Sequence, residues 1–303
     1  MKKDYTRPDK SEKYNKKIEK KMKNKIQEAI EANILVHSAM ANDYNTIEPH
    51  FRPESIKRVN GIIENINALN PIHKALDLGC GTGFMINLLK KYSEEIVGVD
   101  VTQAMMDKVD KSGRAKIELI NSDTGTVKLP QEYFDIVTAY TFLDHLYDMK
   151  PTIQNAFNSL KLGGNFYADL SPNYYFWKAI KELDKNKTYD PITQREVNAV
   201  WKKDEEIEQQ FGVKKEIFTA AEYQKHIKGG LVEEELQSIL SEIGFTKVEF
   251  IYHWYIGQAQ LINDESISVL NRFEHAEIMH NYLTKSLPVS RSLFKYIGFI
   301  ATK

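Results

Sequence analysis

The sequence predicts an α/β fold, a mostly parallel sheet with helices on both faces, and three observations carry that expectation. In the first, the short apolar run Ala75–Leu78 enters a turn with glycine at 79, 81 and 83, and Phe84–Lys90 then takes helical spacing. The second is Glu95–Asp100, another short apolar strand, which ends in a carboxylate 17 residues after Gly83. The third is the recurrence of apolar runs at Lys116–Ile120, Phe134–Tyr140 and Asn165–Leu170, separated by helical or loop segments, as expected of βα units.

A chain of 303 residues suits one large α/β domain with an insertion, or two closely joined domains. Its apolar fraction of 42% is enough for a substantial core, which excludes a disordered chain. The single cysteine, Cys80, excludes a disulfide framework and a cysteine metal cluster, and fits a reducing compartment. No run approaches 18 apolar residues, and the first residues are too charged for a secretory signal, so the expectation is a cytoplasmic protein. The net charge of −1 hides an asymmetry, because residues 1–25 hold eleven Lys/Arg against four Asp/Glu. Such a stretch can touch an anionic membrane surface weakly or a nucleic acid. Ile18, Met22, Ile26 and Ile30 recur every four residues, however, and describe a helix packed on the body with a solvated lysine face.

The turn's spacing bears on the ligand. Glycines at alternate positions, with Asp77 two residues ahead, differ from the G-x-G-x-x-G of dinucleotide sites and disfavour a nicotinamide oxidoreductase. A carboxylate there is awkward beside a pyrophosphate and suits an ammonium group. In a doubly wound sheet, the acid ending the second strand, Asp100, reaches the ribose hydroxyls of a nucleoside lying over the first turn.

Taken in order, Asp77–Gly83, Val99–Met105, Asn121–Asp123 and Tyr133–Val137 resemble the successive motifs of class I S-adenosylmethionine-dependent methyltransferases, with a UbiE-like layout. The resemblance is strong over residues 55–170 and moderate over the last sixty. It implies a Rossmann-like, seven-stranded, mostly parallel sheet that binds S-adenosyl-L-methionine and releases S-adenosyl-L-homocysteine. It implies a cofactor turn at Gly79, Cys80, Gly81 and Gly83, with Asp77 at the methionine end and Asp100 with Val101 at the ribose. Met105 falls against the adenine face. Asp123 falls on the adenine amino group, with Thr124 donating to a ring nitrogen. Tyr140 falls beside the cofactor. The N-terminal helical segment of residues 31–44 closes over the cofactor and brings Tyr44 near its carboxylate.

The remaining elements follow the chain. Glu54–Leu69 is an amphipathic helix with Ile56, Val59, Ile63, Ile66 and Leu69 on one face, stopped by Asn70 and Pro71. Helices are expected at Gln103–Lys111 and Pro151–Leu160, and a glycine turn at Gly163–Gly164 leads into the fifth strand. His37 and His50 read as structural or surface residues. The loop of residues 141–148 lacks the Pro-Pro-Tyr signature of enzymes that methylate base or amide nitrogen. It holds His145, whose neutral imidazole can take a proton from an acceptor hydroxyl, or else orient the loop. Residues 171–230 read as an insertion over the site, with an aromatic cluster at Tyr174–Trp177 and short strands around Trp201 and Phe211. Leu231–Ile243 is a helix, Lys247–Tyr255 a sixth strand, Asp264–Thr284 helical, and Leu293–Ala301 a closing strand, antiparallel beside the fifth by the resemblance. His275 and His280 are five apart, a poor zinc pair, so no metal site is expected.

The organisation expected is a basic helical cap over 1–53, a cofactor-binding core over 54–170, a lid over 171–230 and the return of the core over 231–303. The expected reaction is methyl transfer to a small molecule, oxygen ahead of nitrogen, by direct displacement. Two other readings stand beside it: an RNA or protein methyltransferase docking through the basic N-terminus, and a non-catalytic module that binds S-adenosylmethionine or its product.

Overall fold

Seven strands, β1 (Lys74–Leu78), β2 (Glu95–Asp100), β3 (Lys116–Asn121), β4 (Phe134–Tyr140), β5 (Leu160–Pro172), β6 (Lys247–Tyr255) and β7 (Phe294–Thr302), join in one sheet. Their order is β3-β2-β1-β4-β5-β7-β6 in the computed structural model, which describes residues 10–184, 186–201 and 208–303, with side chains described from residue 20 onward apart from residue 201. The first five strands pair in parallel, and β7 enters antiparallel between β5 and β6. Both sheet faces are covered, and the strands show it by alternation: Ala75, Ile96 and Ile136 join one buried cluster, while Leu76, Val97 and Val137 join the other.

The chain enters through α1 (Lys10–Met40), longer than the expected 31–44, and a single turn α2 (Tyr44–Ile47). Of the basic stretch of residues 1–25, residues 1–9 lie outside the described residues, and so do the side chains before residue 20, that of Ile18 included. Met22 is 43% exposed, and the packed stripe begins later, with Ala29, Ala32, Val36 and Met40 buried. Helix α3 (Pro53–Leu69) presents Val59, Ile63 and Ile66 to the sheet. Leu69 departs from the expected face and is 89% exposed, because it is the final helical residue before the chain turns toward β1.

After β1 comes α4 (Phe84–Leu89), and after β2 a single turn, α5 (Gln103–Met106). The helix expected to reach Lys111 stops early because Asp110 accepts from the Ser112 amide and hydroxyl, a local turn that competes with helix. Helix α6 (Lys150–Ser159) connects β4 to β5. The insertion holds α7 (Tyr174–Lys181), α8 (Pro191–Trp201), α9 (Lys215–Ala221) and α10 (Tyr223–His226). No strand occurs among the described residues between Val197 and Phe218, which corrects the short strands expected there. Phe218 and Ala221 are three apart, a helical spacing, and both are buried against Ala32, Val36 and Met40 of α1. The aromatic cluster forms its own core, in which Phe176, Trp177 and Ile180 pack on Val197. Each fully buried side chain of this kind stabilises the chain by about 1.5–3 kcal/mol, so α1 and the insertion hold each other in place.

Helix α11 (Glu233–Ile243) ends at Gly244, whose φ of 120° ends the helix beside Phe157. The helix expected over 264–284 begins only at Val269, as α13 (Val269–Lys285), and a short helix that was not expected, α12 (Gln258–Ile262), precedes it. Asp264 instead accepts from Ser266, and Ser268 caps α13 by accepting from the Asn271 amide. No helix among the described residues is long and apolar enough to cross a membrane.

Candidate functional site

The glycine turn sits where β1 and β2 end side by side. The amides of Gly79 and Cys80 both donate to the Val99 carbonyl, at 2.8 and 3.1 Å, which bends the chain over the end of β2. Gly79 has φ 72°, and any Cβ there would run into the Phe142 ring; Gly83 has φ 88°, with Val109 against it. Side chains are therefore excluded by both backbone angle and space. Asp100 is pinned from both oxygens: Oδ2 accepts from the Gly81 amide at 2.9 Å and Oδ1 from the Thr102 amide at 2.7 Å. Burial raises its pKa, and the two amides oppose the rise.

Above this turn lies a cavity of about 160 Å³. Of the residues expected at a cofactor, Gly79, Gly81, Asp100, Val101, Met105, Asp123 and Thr124 line it, and so do Tyr44 and His145. Helix α1 closes it with Ile26, Ala29 and Ile30. Asp123 also caps its own turn, its oxygens accepting from the Gly125 amide and the Thr126 hydroxyl at 3.1 Å each. A carboxylate keeps lone pairs beyond those two bonds. The Thr124 hydroxyl is paired with that of Thr152.

Four expected residues line neither this cavity nor the one described below. Asp77 lies beneath the turn, 2% exposed, with Oδ1 accepting from the Thr138 hydroxyl at 2.7 Å. Burial, with Asp100 nearby, raises its pKa to about 7. Cys80 directs its sulfur at Gly98 of β2, and burial pushes the thiol up. Gly83 faces Val109. Tyr140 packs its ring on Phe84 and accepts from Arg58 at 3.2 Å. Arg58 belongs to a buried network at the end of β5: its guanidinium meets Asp169 Oδ2 at 2.9 Å, and that oxygen also accepts from the Tyr167 hydroxyl at 2.6 Å. Arg58 and His253, with the Tyr167 bond, hold Asp169 well below the usual carboxylate range although burial alone would raise it.

A second cavity, of about 310 Å³, adjoins the first. His37, Tyr44, Thr141 and His145 line both. The Nδ1 of His145 lies 3.0 Å from the Ala221 carbonyl, and the Nδ1 of His37 lies 3.0 Å from the Asn33 carbonyl. A carbonyl only accepts, so each Nδ1 carries the proton, and in the neutral ring Nε2 is the basic nitrogen. The two rings meet edge to face at 5.0 Å. Burial, with His145 second, lowers the His37 pKa to about 4, so His37 is neutral at pH 7. Burial also raises the Tyr44 hydroxyl, which faces Thr141. No motif or spacing marks His37, or His50, which is buried and lines the second cavity. Their positions depend on the fold of α1 over the sheet.

Three residues of the second cavity have left-handed backbones without being glycine: Thr141 (φ 48°), Leu170 (φ 61°) and Trp254 (φ 54°). Such residues cluster where function maintains strain. The insertion and α1 supply Phe176, Trp177, Phe218 and Lys225 with Val36 and Met40, and the remaining wall comes from residues 48–55, Asp144 and the segments 254–263 and 295–296.

Residues 76–168 match the family model described as a methyltransferase domain. The chain is 26% identical over 151 residues to a ubiquinone biosynthesis O-methyltransferase of Pseudomonas fluorescens (strain SBW25), covering 47% of this chain and 64% of that one. It is 29% identical over 98 residues to an uncharacterized methyltransferase of Bacillus subtilis (strain 168), covering 31% and 39%. These alignments therefore span less than two thirds of the relatives' own length. Among solved structures, phosphoethanolamine N-methyltransferase 2 of Haemonchus contortus, in complex with phosphomonomethylethanolamine and S-adenosylhomocysteine, superposes with a TM-score of 0.50. The identity is 14%, with 88% of this chain and 56% of that one covered, and the likeness is one of fold.

Proposed function

We propose, for a chain that belongs to the class I S-adenosylmethionine-dependent methyltransferases, that it moves a methyl group to a small-molecule acceptor held in the second cavity. The observation that carries this reading is the junction of the two cavities through His37, Tyr44, Thr141 and His145. When bound, S-adenosylmethionine supplies a methyl group already activated by a sulfonium and leaves as S-adenosylhomocysteine. The first cavity fits such a group: it has a buried carboxylate fixed by two amides, glycines without side-chain bulk, and apolar flanks from Met105, Val101 and Ile30. In this reading Asp100 receives the ribose hydroxyls, Asp123 the adenine amino group, and Tyr44 faces the methionine end. Asp77 acts from beneath the turn.

The residues between the cavities do two things. They position an acceptor in line with the methyl group, which supplies most of the acceleration for an activated donor. They also offer a base, because Nε2 of His145 is the unprotonated nitrogen of the neutral ring. A base favours an acceptor that loses a proton on reaction, which places oxygen ahead of nitrogen. Residues 171–230 act with α1 as the lid, since both supply the wall of the second cavity. The reducing cytoplasm suits the free Cys80.

The test is S-adenosylmethionine labelled on its methyl group, incubated with the full chain and a cell extract. Enzyme-dependent label in the soluble small-molecule fraction is expected. Label confined to RNA or protein overturns the choice of acceptor.

A further inference from the structure

Among the described residues, five buried side-chain atoms have no hydrogen-bond partner, and two of them belong to residues that line the second cavity: Oδ1 of Asp144 and Nε1 of Trp177. Both residues are more than nine-tenths buried, at 6% and 5% exposure. Buried polar groups are nearly always paired, so two unpaired ones in a single cavity wall call for an explanation. Their chemistry is complementary, since one only donates and the other, when ionised, only accepts.

We propose that the second cavity selects a bifunctional acceptor. Its hydroxyl or amine donates to Asp144 Oδ1, and an anionic oxygen a few bonds away accepts from Trp177 Nε1 beside Lys225. This inference rests on reading the cavity as the acceptor site and adds the substrate class. Asp144 precedes His145 in a one-turn 3-10 helix, so the donor end of the ligand lies at the junction with the first cavity. Trp177 is set at the other part of the wall by α7, whose cap Asn173 is fully buried and donates to the Arg291 and Phe294 carbonyls at 2.7 Å each. Between them lies Lys225, 5.4 Å from the centre of a Trp177 ring and within electrostatic reach of Asp144. Its ammonium has three donors, and the ion pair with Glu222 engages one side of it. Phe176, Phe218 and Tyr255 form apolar walls around these groups and suit a flat or hydrocarbon frame between the two polar ends.

The experiment follows the indole N–H signals of the three tryptophans by NMR in the full chain with S-adenosylhomocysteine present, Trp177→Phe assigning the Trp177 signal. The probes are 3-(4-hydroxyphenyl)propionate, 3-phenylpropionate, which lacks the hydroxyl, and 4-propylphenol, which lacks the carboxylate. Butyrate and 4-hydroxybutyrate form an aliphatic pair. The carboxylates should move the Trp177 signal downfield, and the hydroxy acids should bind at least tenfold more tightly than compounds lacking either group. Asp144→Ala should remove the advantage of the hydroxyl, and Trp177→Phe that of the carboxylate. The melting temperature of free Asp144→Ala should not fall, because Oδ1 has no partner and burial outweighs the attraction of His145 and Lys225 for the carboxylate. A Trp177 signal unmoved by every carboxylate, equal affinity across each matched set, or a lower melting temperature for free Asp144→Ala overturns the proposal. Calorimetry with S-adenosylhomocysteine on the same samples judges the cofactor assignment separately, since the Trp177 response requires no turnover.

Discussion

Replacing Asp169 by Asn tests the network that supports the carboxyl ends of β4 and β5. Asp169 is fully buried, and its oxygens meet Arg58 Nη1 at 2.9 Å, the Tyr167 hydroxyl at 2.6 Å, the Leu170 amide at 2.6 Å and His253 Nε2 at 3.2 Å. An asparagine keeps one acceptor oxygen. If that oxygen stays with the Leu170 amide, its NH2 faces the Arg58 guanidinium, and two donors meet where an ion pair was. Breaking a buried pair from one side costs about 3–5 kcal/mol. Arg58 is 27% exposed and donates also to Tyr140, so the expected cost is at the lower end, about 3 kcal/mol. Against a total stability of about 5–15 kcal/mol, that is readily measured by urea unfolding at unchanged m. Arg58→Met should cost less, because Tyr167, Leu170 and His253 still satisfy the carboxylate. The double variant should fall short of the sum by about 1–3 kcal/mol. A cost below about 1 kcal/mol for Asp169→Asn, with no coupling to Arg58, refutes the argument.

Four further outcomes are expected. Asp100→Ala should weaken S-adenosylhomocysteine at least tenfold by calorimetry, about 1.4 kcal/mol, with the circular dichroism spectrum retained; unchanged affinity removes Asp100 from the site. Gly79→Ala should destabilise by about 1–3 kcal/mol from its left-handed backbone alone, and Phe142→Ala should restore only the share due to the ring contact. His50 is buried and its pKa is lowered to about 4, against 6.5 in the unfolded chain, so the unfolded state binds more protons between those values. Stability should therefore fall as pH drops from about 6.5 to 4, by up to about 3 kcal/mol, and thermal melts of His50→Gln should show a flatter pH profile. If His145 is the base, His145→Gln should lower kcat by about 10²–10⁴; a loss under tenfold assigns it to positioning.

The sheet was legible because its signals are local. Ala75–Leu78, Glu95–Asp100 and Phe134–Tyr140 are short apolar runs bounded by turn residues, and β2, β4 and β6 occupy the spans expected of them. Asp100 was legible for the same reason, since a carboxylate at the end of a strand needs no knowledge of distant residues. The second cavity was not. Its wall joins residues 36–55, 141–145, 170–177, 195–199, 218–225, 254–263 and 295–296, and no period in the sequence links them. Asp144, Trp177 and Lys225 became a group only once α1 and the insertion had buried their apolar faces on each other. The portion from Val197 to Phe218 suggests short strands because its helices are short and charged, and the pattern of Phe218 and Ala221 makes sense only against the α1 face they cover.

Thr141, Leu170 and Trp254 connect these two levels. They lie just after β4, at the irregular register of β5, and near the end of β6, where the sheet gives way to the site. A β-branched or bulky residue held left-handed costs about 1–3 kcal/mol, so each persists only where its surroundings over-determine it. The surroundings here are explicit. The Thr141 amide donates to the Asp169 carbonyl at 3.0 Å, the Leu170 amide to the Asp169 side chain, and His253, the neighbour of Trp254, packs against that same carboxylate. Asp169 thus meets two of these strained backbones directly, Thr141 through its main-chain carbonyl and Leu170 through its carboxylate, and reaches Trp254 through His253. A residue whose side chain lines neither cavity in this way supports the shape of the one where an acceptor would bind, through its carboxylate at Leu170 and its backbone at Thr141.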